Sequence, residues 1–244
     1  MRPVLFSIGP LPVYAFGFLV ASGVLLSLVL MNRKARRTGF PPGDMAFDMV
    51  FVTVLAGFLG ARLYYVLQNA GWYFRNPLQI FALWEGGLIF YGGQAGALLG
   101  IWIFFKAKKI APLKGLDFIL PYVALTQAFG RIGCFLNGCC MGKACDLPWA
   151  VRFPELPYPV HPAQLYEAVS DLGLFLFLNA RYDKKRFDGE ITALYFAGYA
   201  LIRFAVEFLR ADNPAWGVLT INQWVSVGVF VAAAGFYIKG KKRE

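Results

Sequence analysis

The sequence predicts an all-α, polytopic integral membrane protein. Of the 244 residues, 58% are hydrophobic and 17% aromatic, whereas only 16% are charged. The mean hydropathy of +0.54 is too high for a soluble domain of this length. Apolar stretches of about 20 residues, each long enough to cross a hydrocarbon core about 30 Å thick, recur along the chain. We therefore expect a single membrane-embedded domain over residues 1–244.

Seven membrane-spanning helices are predicted from these stretches. Their expected bounds are Leu11–Met31, Met45–Leu67, Gly87–Phe105, Leu116–Leu136, Pro162–Ala180, Ile191–Leu209 and Ile221–Ile238. The first stretch exceeds the apolar region of about 7–15 residues that a signal peptide carries, and its main basic cluster follows it. We expect it to be a retained helix.

The positive charge of the chain is arranged in a way that predicts its topology. Most of the 24 lysines and arginines lie in four short clusters, each after an apolar stretch. The clusters are Arg33, Lys34, Arg36 and Arg37; Lys106, Lys108, Lys109 and Lys114; Arg181, Lys184, Lys185 and Arg186; and Lys239, Lys241, Lys242 and Arg243. Basic clusters mark cytoplasmic loops. The pattern predicts an external N-terminus and a cytoplasmic C-terminus, and it makes nucleic acid an unsuitable partner despite the net charge of +10.

The stretch Phe129–Cys140 contains the first candidate functional residue, Arg131. An arginine among apolar residues costs roughly 2.5–3.5 kcal/mol at the centre of a bilayer, so it needs a partner, water or an anionic ligand. Small and polar residues, including Asn137 and Gly138, follow it.

The sixth predicted span contains Arg203, Glu207 and Arg210, whose spacings of four and three residues place them on one side of a helix. A self-neutralising ion pair is one interpretation. With Arg131 added, however, three guanidinium groups would face one carboxylate, and guanidinium matches phosphate geometry. We expect a cavity near the outer leaflet for an anionic lipid headgroup. Glu167 and Asp171, four residues apart, are expected to face the helix bundle rather than lipid.

Two candidates lie in the second and third predicted spans. Gly57, Gly60 and Ala61 should allow another helix to approach closely, and Arg62 beside them either snorkels outward or faces a polar cavity. Tyr91, which precedes Gly92 and Gly93, has little steric cover, so its hydroxyl is expected to face a cavity.

Two further candidates lie near predicted helix ends. Tyr14 belongs either to an interfacial aromatic belt or to the polar interior of the bundle. His161 is the one histidine and precedes Pro162, which suits the first turn of a helix. A structural hydrogen bond from His161 to the helix start is the expectation, with a functional role as the alternative.

The four cysteines are Cys134, Cys139, Cys140 and Cys145. They lack the paired C-x2-C spacing of common zinc sites and have no histidine beside them, so no metal is predicted. A disulfide joining Cys139 or Cys140 to Cys145 would suit an oxidising outer face. Free or buried thiols are nevertheless the expectation, with this disulfide as the alternative.

Several motifs, in order, resemble those of the prolipoprotein diacylglyceryl transferase family of bacterial inner membranes. They are Gly60-Ala61-Arg62-Leu63, Phe90-Tyr91-Gly92-Gly93, Gly130-Arg131-Ile132-Gly133 with Phe135 and Asn137-Gly138, the run from His161-Pro162 to Gln164-Leu165-Tyr166-Glu167, and Arg203-Phe204 with Glu207-Phe208 and Arg210. The ordered set covers nearly the whole chain.

The resemblance implies that a diacylglyceryl group moves from phosphatidylglycerol to the lipobox cysteine thiol of a prolipoprotein signal peptide. It implies a multi-pass inner-membrane protein that acts as a monomer in membrane lipid, without a cofactor. On this interpretation Arg131 holds the lipid phosphate, and Arg203, Glu207, Tyr91 and Tyr14 join it as catalytic residues. The substrate-binding residues would be Arg131, Asn137, Gly138, Arg62, Arg210, Gly92, Gly93 and His161.

Two departures from the family pattern bear on the reaction. The family commonly carries histidine, a proposed general base, at the position of Tyr91, and a phenol is a weaker base than imidazole at neutral pH. Cys134 and Cys139 replace an asparagine and a glutamate of the signature. The alternative is therefore a protein of the same fold that binds or moves anionic phospholipid without this transfer.

Overall fold

The computed structural model describes residues 3–9, 11–82, 86–211 and 215–242, so Arg243 of the fourth basic cluster lies outside it. The helices in these residues are α1 (Ala15–Thr38), α2 (Met45–Gln68), α3 (Ala70–Tyr73), α4 (Phe90–Ala107), α5 (Pro112–Asn137), α6 (Ala163–Tyr182), α7 (Glu190–Glu207) and α8 (Ile221–Lys241). A 3-10 helix covers Pro77–Phe81. All except α3 and the 3-10 helix overlap one of the predicted spans.

Two short hairpins correct the all-α prediction. Strand β1 (Val4–Ile8) pairs antiparallel with β2 (Leu11–Tyr14), and β3 (Ala215–Trp216) pairs with β4 (Leu219–Thr220). The first span was predicted to begin at Leu11, but helix α1 begins at Ala15. Leu11 is disfavoured in the helical conformation because it precedes Pro12, and Val13 favours extended structure. Both residues pair with β1. Tyr14 is therefore the last residue of a strand and not a helical residue.

The third predicted span also begins later than expected. Gly86 and Gly87 have φ angles of 82° and 76°, which are incompatible with a right-handed helix, and α4 begins at Phe90. The sixth predicted span was expected to end at Leu209, but helix α7 ends at Glu207.

Among the described residues, four helices are long and apolar enough to cross a membrane. They are α1, α2, α5 and α8, with mean hydropathies of 2.0, 1.8, 1.3 and 1.4 over their most apolar windows. Helices α6 and α7 contain buried acidic residues, Glu167 and Asp171 in the first and Glu190 and Glu207 in the second. The structure is thus mostly helical with four clear candidate spans, and the full count of seven stays a prediction.

The chain forms two compact units, one from Met1–Val29 and Leu116–Glu244 and the other from Leu30–Gly115. The prediction of one domain over residues 1–244 stays a prediction. In the first unit, α1 packs on α5, since a Cβ at Gly23 would lie only 2.9 Å from Phe129 Cβ. Ser27 in α1 also hydrogen-bonds the carbonyl of Tyr122 and the hydroxyl of Thr126 in α5.

In the second unit, α2 and α4 cross at contacting glycines. A Cβ at Gly60 would overlap the carbonyl oxygen of Gly92, and a Cβ at Gly96 would overlap the carbonyl oxygen of Ala56. Small residues let membrane helices approach at backbone distance. The close approach predicted for the Gly57–Ala61 segment is confirmed.

A buried carboxylate fixes the start of α7 in the first unit. Asp117 Oδ1 accepts hydrogen bonds from Thr192 N at 2.9 Å and Thr192 Oγ1 at 2.8 Å, while Oδ2 accepts from Gly189 N at 2.8 Å. Lys185 Nζ lies 2.9 Å from the same Oδ2. Asp117 thereby satisfies N–H groups that the first turn of a helix leaves unpaired. It sets the position of α7, which carries Arg203 and Glu207 at its other end.

Candidate active site

The site is built where α5 and α7 end and α6 and α8 begin. Helix α5 ends at Asn137 because Gly138 adopts the left-handed conformation, with φ of 78°. Thr220 N-caps α8: its side chain accepts a hydrogen bond from Gln223 N, and the Gln223 side chain accepts one from Thr220 N. Helix ends therefore place polar groups beside the charged side chains of α5, α6 and α7.

Arg131 of α5 forms an ion pair with Glu167 of α6. Arg131 Nη2 lies 2.7 Å from Glu167 Oε1, yet no N–H points at that oxygen closely enough for a hydrogen bond. The Glu167 side chain is 1% exposed, whereas that of Arg131 is 23% exposed. Arg131 is thus charge-compensated by Glu167, and its side chain stays partly exposed.

Arg203 of α7 links Glu167 to Glu207. Arg203 Nη1 donates to Glu167 Oε2 at 3.3 Å, and Arg203 Nη2 donates to Glu207 Oε2 at 2.9 Å. The ion pair predicted between Arg203 and Glu207 is confirmed. The other oxygen of Glu207 accepts hydrogen bonds from Thr220 Oγ1 at 2.8 Å and Asn222 Nδ2 at 3.0 Å. Four helices therefore meet in one network of charged and polar groups.

The predicted excess of three guanidinium groups over one carboxylate is wrong. Helix α7 ends at Glu207, so Arg210 is not on its face; its backbone forms a β-bridge with Gly142, and its side chain hydrogen-bonds Cys140. Glu167 supplies a second carboxylate. The described network contains two arginines, Arg131 and Arg203, and two glutamates, so any net attraction for an anion comes from the direction and exposure of the guanidinium groups.

Glu167 and Asp171 were expected to face the bundle, and both are fully buried. Neither was predicted to be a site residue, although their four-residue spacing was a signal for a shared face. Neither carboxylate oxygen of Asp171 has a hydrogen-bond partner among the described residues. A buried carboxyl group without a hydrogen-bond partner is costly. We therefore include Asp171, which lies one turn beyond Glu167, in the candidate site.

The cysteines lie at the end of α5 as free thiols. The disulfides considered between Cys139 or Cys140 and Cys145 are not formed. The Sγ atoms of Cys134, Cys139 and Cys140 lie within 4.8 Å of one another. Hydrogen bonding by Cys134, Cys139 and Arg210 lowers the pKa of the Cys140 thiol to about 5, against the opposing effect of burial.

The segment between α5 and α6 holds His161 beside the start of α6. His161 Nδ1 lies 3.4 Å from the hydroxyl of Tyr166 in the first turn, and that hydroxyl accepts a hydrogen bond from Trp149 Nε1 at 2.7 Å. The expected hydrogen bond to the helix start is confirmed. Gln164 in the same turn donates to the carbonyl of Cys139 at 2.6 Å, which ties α6 to the segment after Asn137 and Gly138.

Arg62, in the second unit, is buried and does not snorkel outward. Its guanidinium donates to five backbone carbonyls, those of Gln79, Ile80, Ala82, Gly86 and Gly87, at 2.7–3.3 Å. Arg62 thereby holds together the segments on both sides of residues 83–85. Its substrate-binding role stays a prediction.

Tyr91, Gly92 and Gly93 lie in the first turn of α4. Tyr91 is 75% exposed. Gly92 packs against Tyr64 and the carbonyl of Gly60, so its small size serves helix packing. An apolar cavity of about 580 Å³ lies in the same unit, between α2, α4 and the 3-10 helix, and is lined by residues including Leu59, Leu63, Phe81, Leu99 and Ile103.

Of the predicted catalytic residues, the structure brings together Arg131, Arg203 and Glu207. Tyr14 is 57% exposed at the end of β2, and no described contact joins it to that network. The catalytic roles of Tyr14 and Tyr91 and the binding roles of Asn137, Gly138, Arg210, Gly92, Gly93 and His161 stay predictions.

Comparison with known proteins identifies the family. The family model described as "Prolipoprotein diacylglyceryl transferase" matches residues 3–239. The chain is 37% identical to the phosphatidylglycerol–prolipoprotein diacylglyceryl transferase of Bordetella parapertussis, with 97% of this chain and 94% of that protein covered. The identity is 34% to the enzyme of that name from Clostridium tetani, over 98% and 96% of the two chains. It is 35% to that of Pseudomonas paraeruginosa, over 99% and 94%.

The match runs through every helix that carries the site, from the residues before α1 to the last turn of α8. The four apolar helices agree with a multi-pass membrane protein. The chain therefore belongs to the prolipoprotein diacylglyceryl transferase family.

Proposed function

We propose that this protein transfers the diacylglyceryl group of phosphatidylglycerol to the lipobox cysteine thiol of a prolipoprotein, releasing glycerol phosphate. The single observation that carries the proposal for the site is the position of Arg131, which is ion-paired with the buried Glu167 and keeps a partly exposed side chain. The names of relatives at 34–37% identity, which cover nearly the whole chain, support the substrates.

In this reaction the thiol sulfur forms a bond to the glyceryl carbon that carries the phosphate. The carbon–oxygen bond breaks, and the leaving glycerol phosphate takes the electron pair. Its phosphate passes from a diester with one negative charge to a monoester with about two. A guanidinium group already positioned there stabilises the charge as it develops. We assign this contact to Arg131, supported by Arg203, because these two side chains retain exposure of 23% and 15% beside fully buried glutamates.

Glu167 and Glu207 position the two arginines in this proposal. Arg131 pairs with Glu167 on another helix. Arg203 pairs with Glu167 on another helix and with Glu207 one turn further along α7. Holding the guanidinium groups before substrate arrives reduces the reorganisation that phosphate binding would require.

The proton of the attacking thiol needs an acceptor, and we assign this role to the phenolate form of Tyr91, which becomes the neutral phenol. Its exposed side chain and its position between Phe90 and Gly92 support access by a substrate.

We further propose seven spans with an external N-terminus and a cytoplasmic C-terminus in the bacterial inner membrane. Basic residues occupy the last turns of α1, α4, α6 and α8, at Arg36, Lys106, Arg181 and Lys239 among others. If the seven long helices cross in alternate directions, all four ends lie on the cytoplasmic side. The Arg131 network then lies toward the outer side. We expect the protein to act as a monomer.

The test is an assay of purified protein in detergent with phosphatidylglycerol and a synthetic lipobox peptide. The expected result is a peptide whose mass increases by one diacylglyceryl group, together with one equivalent of glycerol phosphate. Phosphatidylcholine with the same acyl chains serves as the control donor. Folded protein that binds phosphatidylglycerol but forms no thioether would contradict the transferase function and support the lipid-binding alternative.

A further inference from the structure

Three thiols converge just beyond the charged network. The Sγ atoms of Cys134, Cys139 and Cys140 all lie within 4.8 Å of one another, and those of Cys139 and Cys140 are 3.6 Å apart. All three are free and partly buried. The reaction proposed above uses none of them.

The backbone is folded in a way that creates this convergence. Cys134 lies in the last turn of α5, and the chain then reverses through Gly138 and Cys140, whose φ angles are 78° and 64°. A left-handed conformation is uncommon for a residue with a side chain. Cys139 N donates to the carbonyl of Cys134 at 3.2 Å, and Gln164 Nε2 donates to the carbonyl of Cys139 at 2.6 Å. Contacts from α5 and α6 thus hold the backbone that carries the thiols.

Three thiolates in this arrangement suit a soft cation. Zinc binds sulfur at about 2.3 Å, and tetrahedral geometry then separates the sulfurs by about 3.8 Å, which small side-chain rotations can reach. Thiolates favour Zn²⁺ and Cu⁺ over Mg²⁺ and Ca²⁺. Three thiolates around Zn²⁺ leave one net negative charge, and the Arg210 side chain that hydrogen-bonds Cys140 balances it.

We propose that Cys134, Cys139 and Cys140 form a binding site for one thiophilic cation, with Zn²⁺ as the expected ion and a fourth coordination position outside the three thiols. Each thiol loses its proton to solvent as it becomes a ligand. The bound ion would link Cys134, in the last turn of α5 and three residues beyond Arg131, to Cys139 and Cys140. The backbone of this second segment is hydrogen-bonded by Gln164.

The proposal is tested with the full chain, reduced and stripped of metal, in detergent. Titration with Cd²⁺ should give an ultraviolet cadmium–thiolate charge-transfer band that saturates at one equivalent, and Zn²⁺ should abolish it by displacement. Cys134→Ser, Cys139→Ser and Cys140→Ser should each weaken Cd²⁺ binding at least about tenfold. Cys145→Ser, which removes the cysteine outside the cluster, should bind Cd²⁺ as the parent does.

A second measurement needs no variant and covers the case in which a substitution prevents folding. Alkylation of the parent protein should modify four thiols without metal and only Cys145 when Zn²⁺ is present, as counted by mass spectrometry; Mg²⁺ should give no protection. The proposal fails if Cd²⁺ binding does not saturate at one equivalent, if Zn²⁺ protects none of the three thiols, or if Cys145→Ser weakens binding as much as the cluster variants do.

Discussion

Arg131 Nη2 approaches Glu167 Oε1 to 2.7 Å without directing a hydrogen bond at it. The contact supplies electrostatic compensation for a guanidinium group among apolar helices, where an unpaired arginine would be costly. It also leaves the Arg131 side chain 23% exposed, which allows contact with a second anion. The same carboxylate holds Arg203 through its second oxygen, so Glu167 is the residue on which both guanidinium groups depend.

Glu167→Gln should lower transferase activity at least about 100-fold, because the amide keeps the shape but loses the charge that positions Arg131 and Arg203. Loss of one partner from a buried ion pair should also destabilise the fold by about 3–5 kcal/mol. Thioether formation per folded molecule and thermal unfolding in detergent measure the two effects. Glu155→Gln, an exposed acid in the same unit, is the control. Parent-like activity of Glu167→Gln would show that the network is not needed for transfer.

Asp117→Asn should destabilise the protein without changing the activity of molecules that remain folded. The substitution removes the charge that pairs with Lys185 and weakens the cap on α7, at a cost of about 1.5–3 kcal/mol. Asp117 precedes Arg131 by 14 helical residues, which is about 21 Å. Thermal unfolding and specific activity should be compared with those of Asp146→Asn, an exposed control. A large loss of specific activity would contradict a purely structural role.

Gly96→Ala should destabilise the second unit, although alanine is normally the better helix former. The added Cβ would meet the carbonyl of Ala56 and lie 2.9 Å from Gly60 Cα, and overpacking of this kind costs about 1–3 kcal/mol. Gly173→Ala is the matched control, since its Cβ would meet nothing within 4 Å, and it should be neutral or slightly stabilising. Equal unfolding temperatures for the two variants would exclude backbone contact between α2 and α4.

Tyr91→Phe should reduce the rate of thioether formation at least about tenfold, because phenylalanine has no phenolate oxygen to accept the thiol proton. Tyr91→His should retain activity at neutral pH, because imidazole is the stronger base there. Tyr158→Phe, an exposed tyrosine in the first unit, should behave as the parent. Full activity of Tyr91→Phe would assign proton removal to another group.

Hydropathy alone placed the ends of the seven long helices within four residues, except that α1 ends at Thr38, seven residues beyond the predicted Met31. This accuracy was possible because the length of an apolar stretch is a local property of the sequence. The errors occur where backbone chemistry overrides hydropathy. Pro12 lies in a stretch that is apolar enough for a helix, but it disfavours the helical conformation at Leu11, and the stretch pairs with β1. Gly86 and Gly87 adopt positive φ angles before α4. The end of α7 at Glu207 likewise removed Arg210 from the predicted face.

The site was less predictable because its pairings join different helices. The four-residue spacing of Arg203 and Glu207 predicted their ion pair, which lies within one helix. The partner of Arg131 is on α6, 36 residues away, and no local pattern connects them. Three cysteines in the order C-x4-C-C follow no common zinc spacing, and they converge only because Gly138 and Cys140 turn the chain back.

The most direct test of the central claim is the single-turnover rate of thioether formation by Arg131→Gln with saturating phosphatidylglycerol and lipobox peptide. This rate should fall about 100- to 1,000-fold, because a positioned donor no longer stabilises the leaving phosphate. The rate should fall less for Arg131→Lys. Arg33→Gln, an exposed arginine of the first basic cluster, should keep the parent rate. A folded Arg131→Gln protein that turns over as fast as the parent would contradict the account.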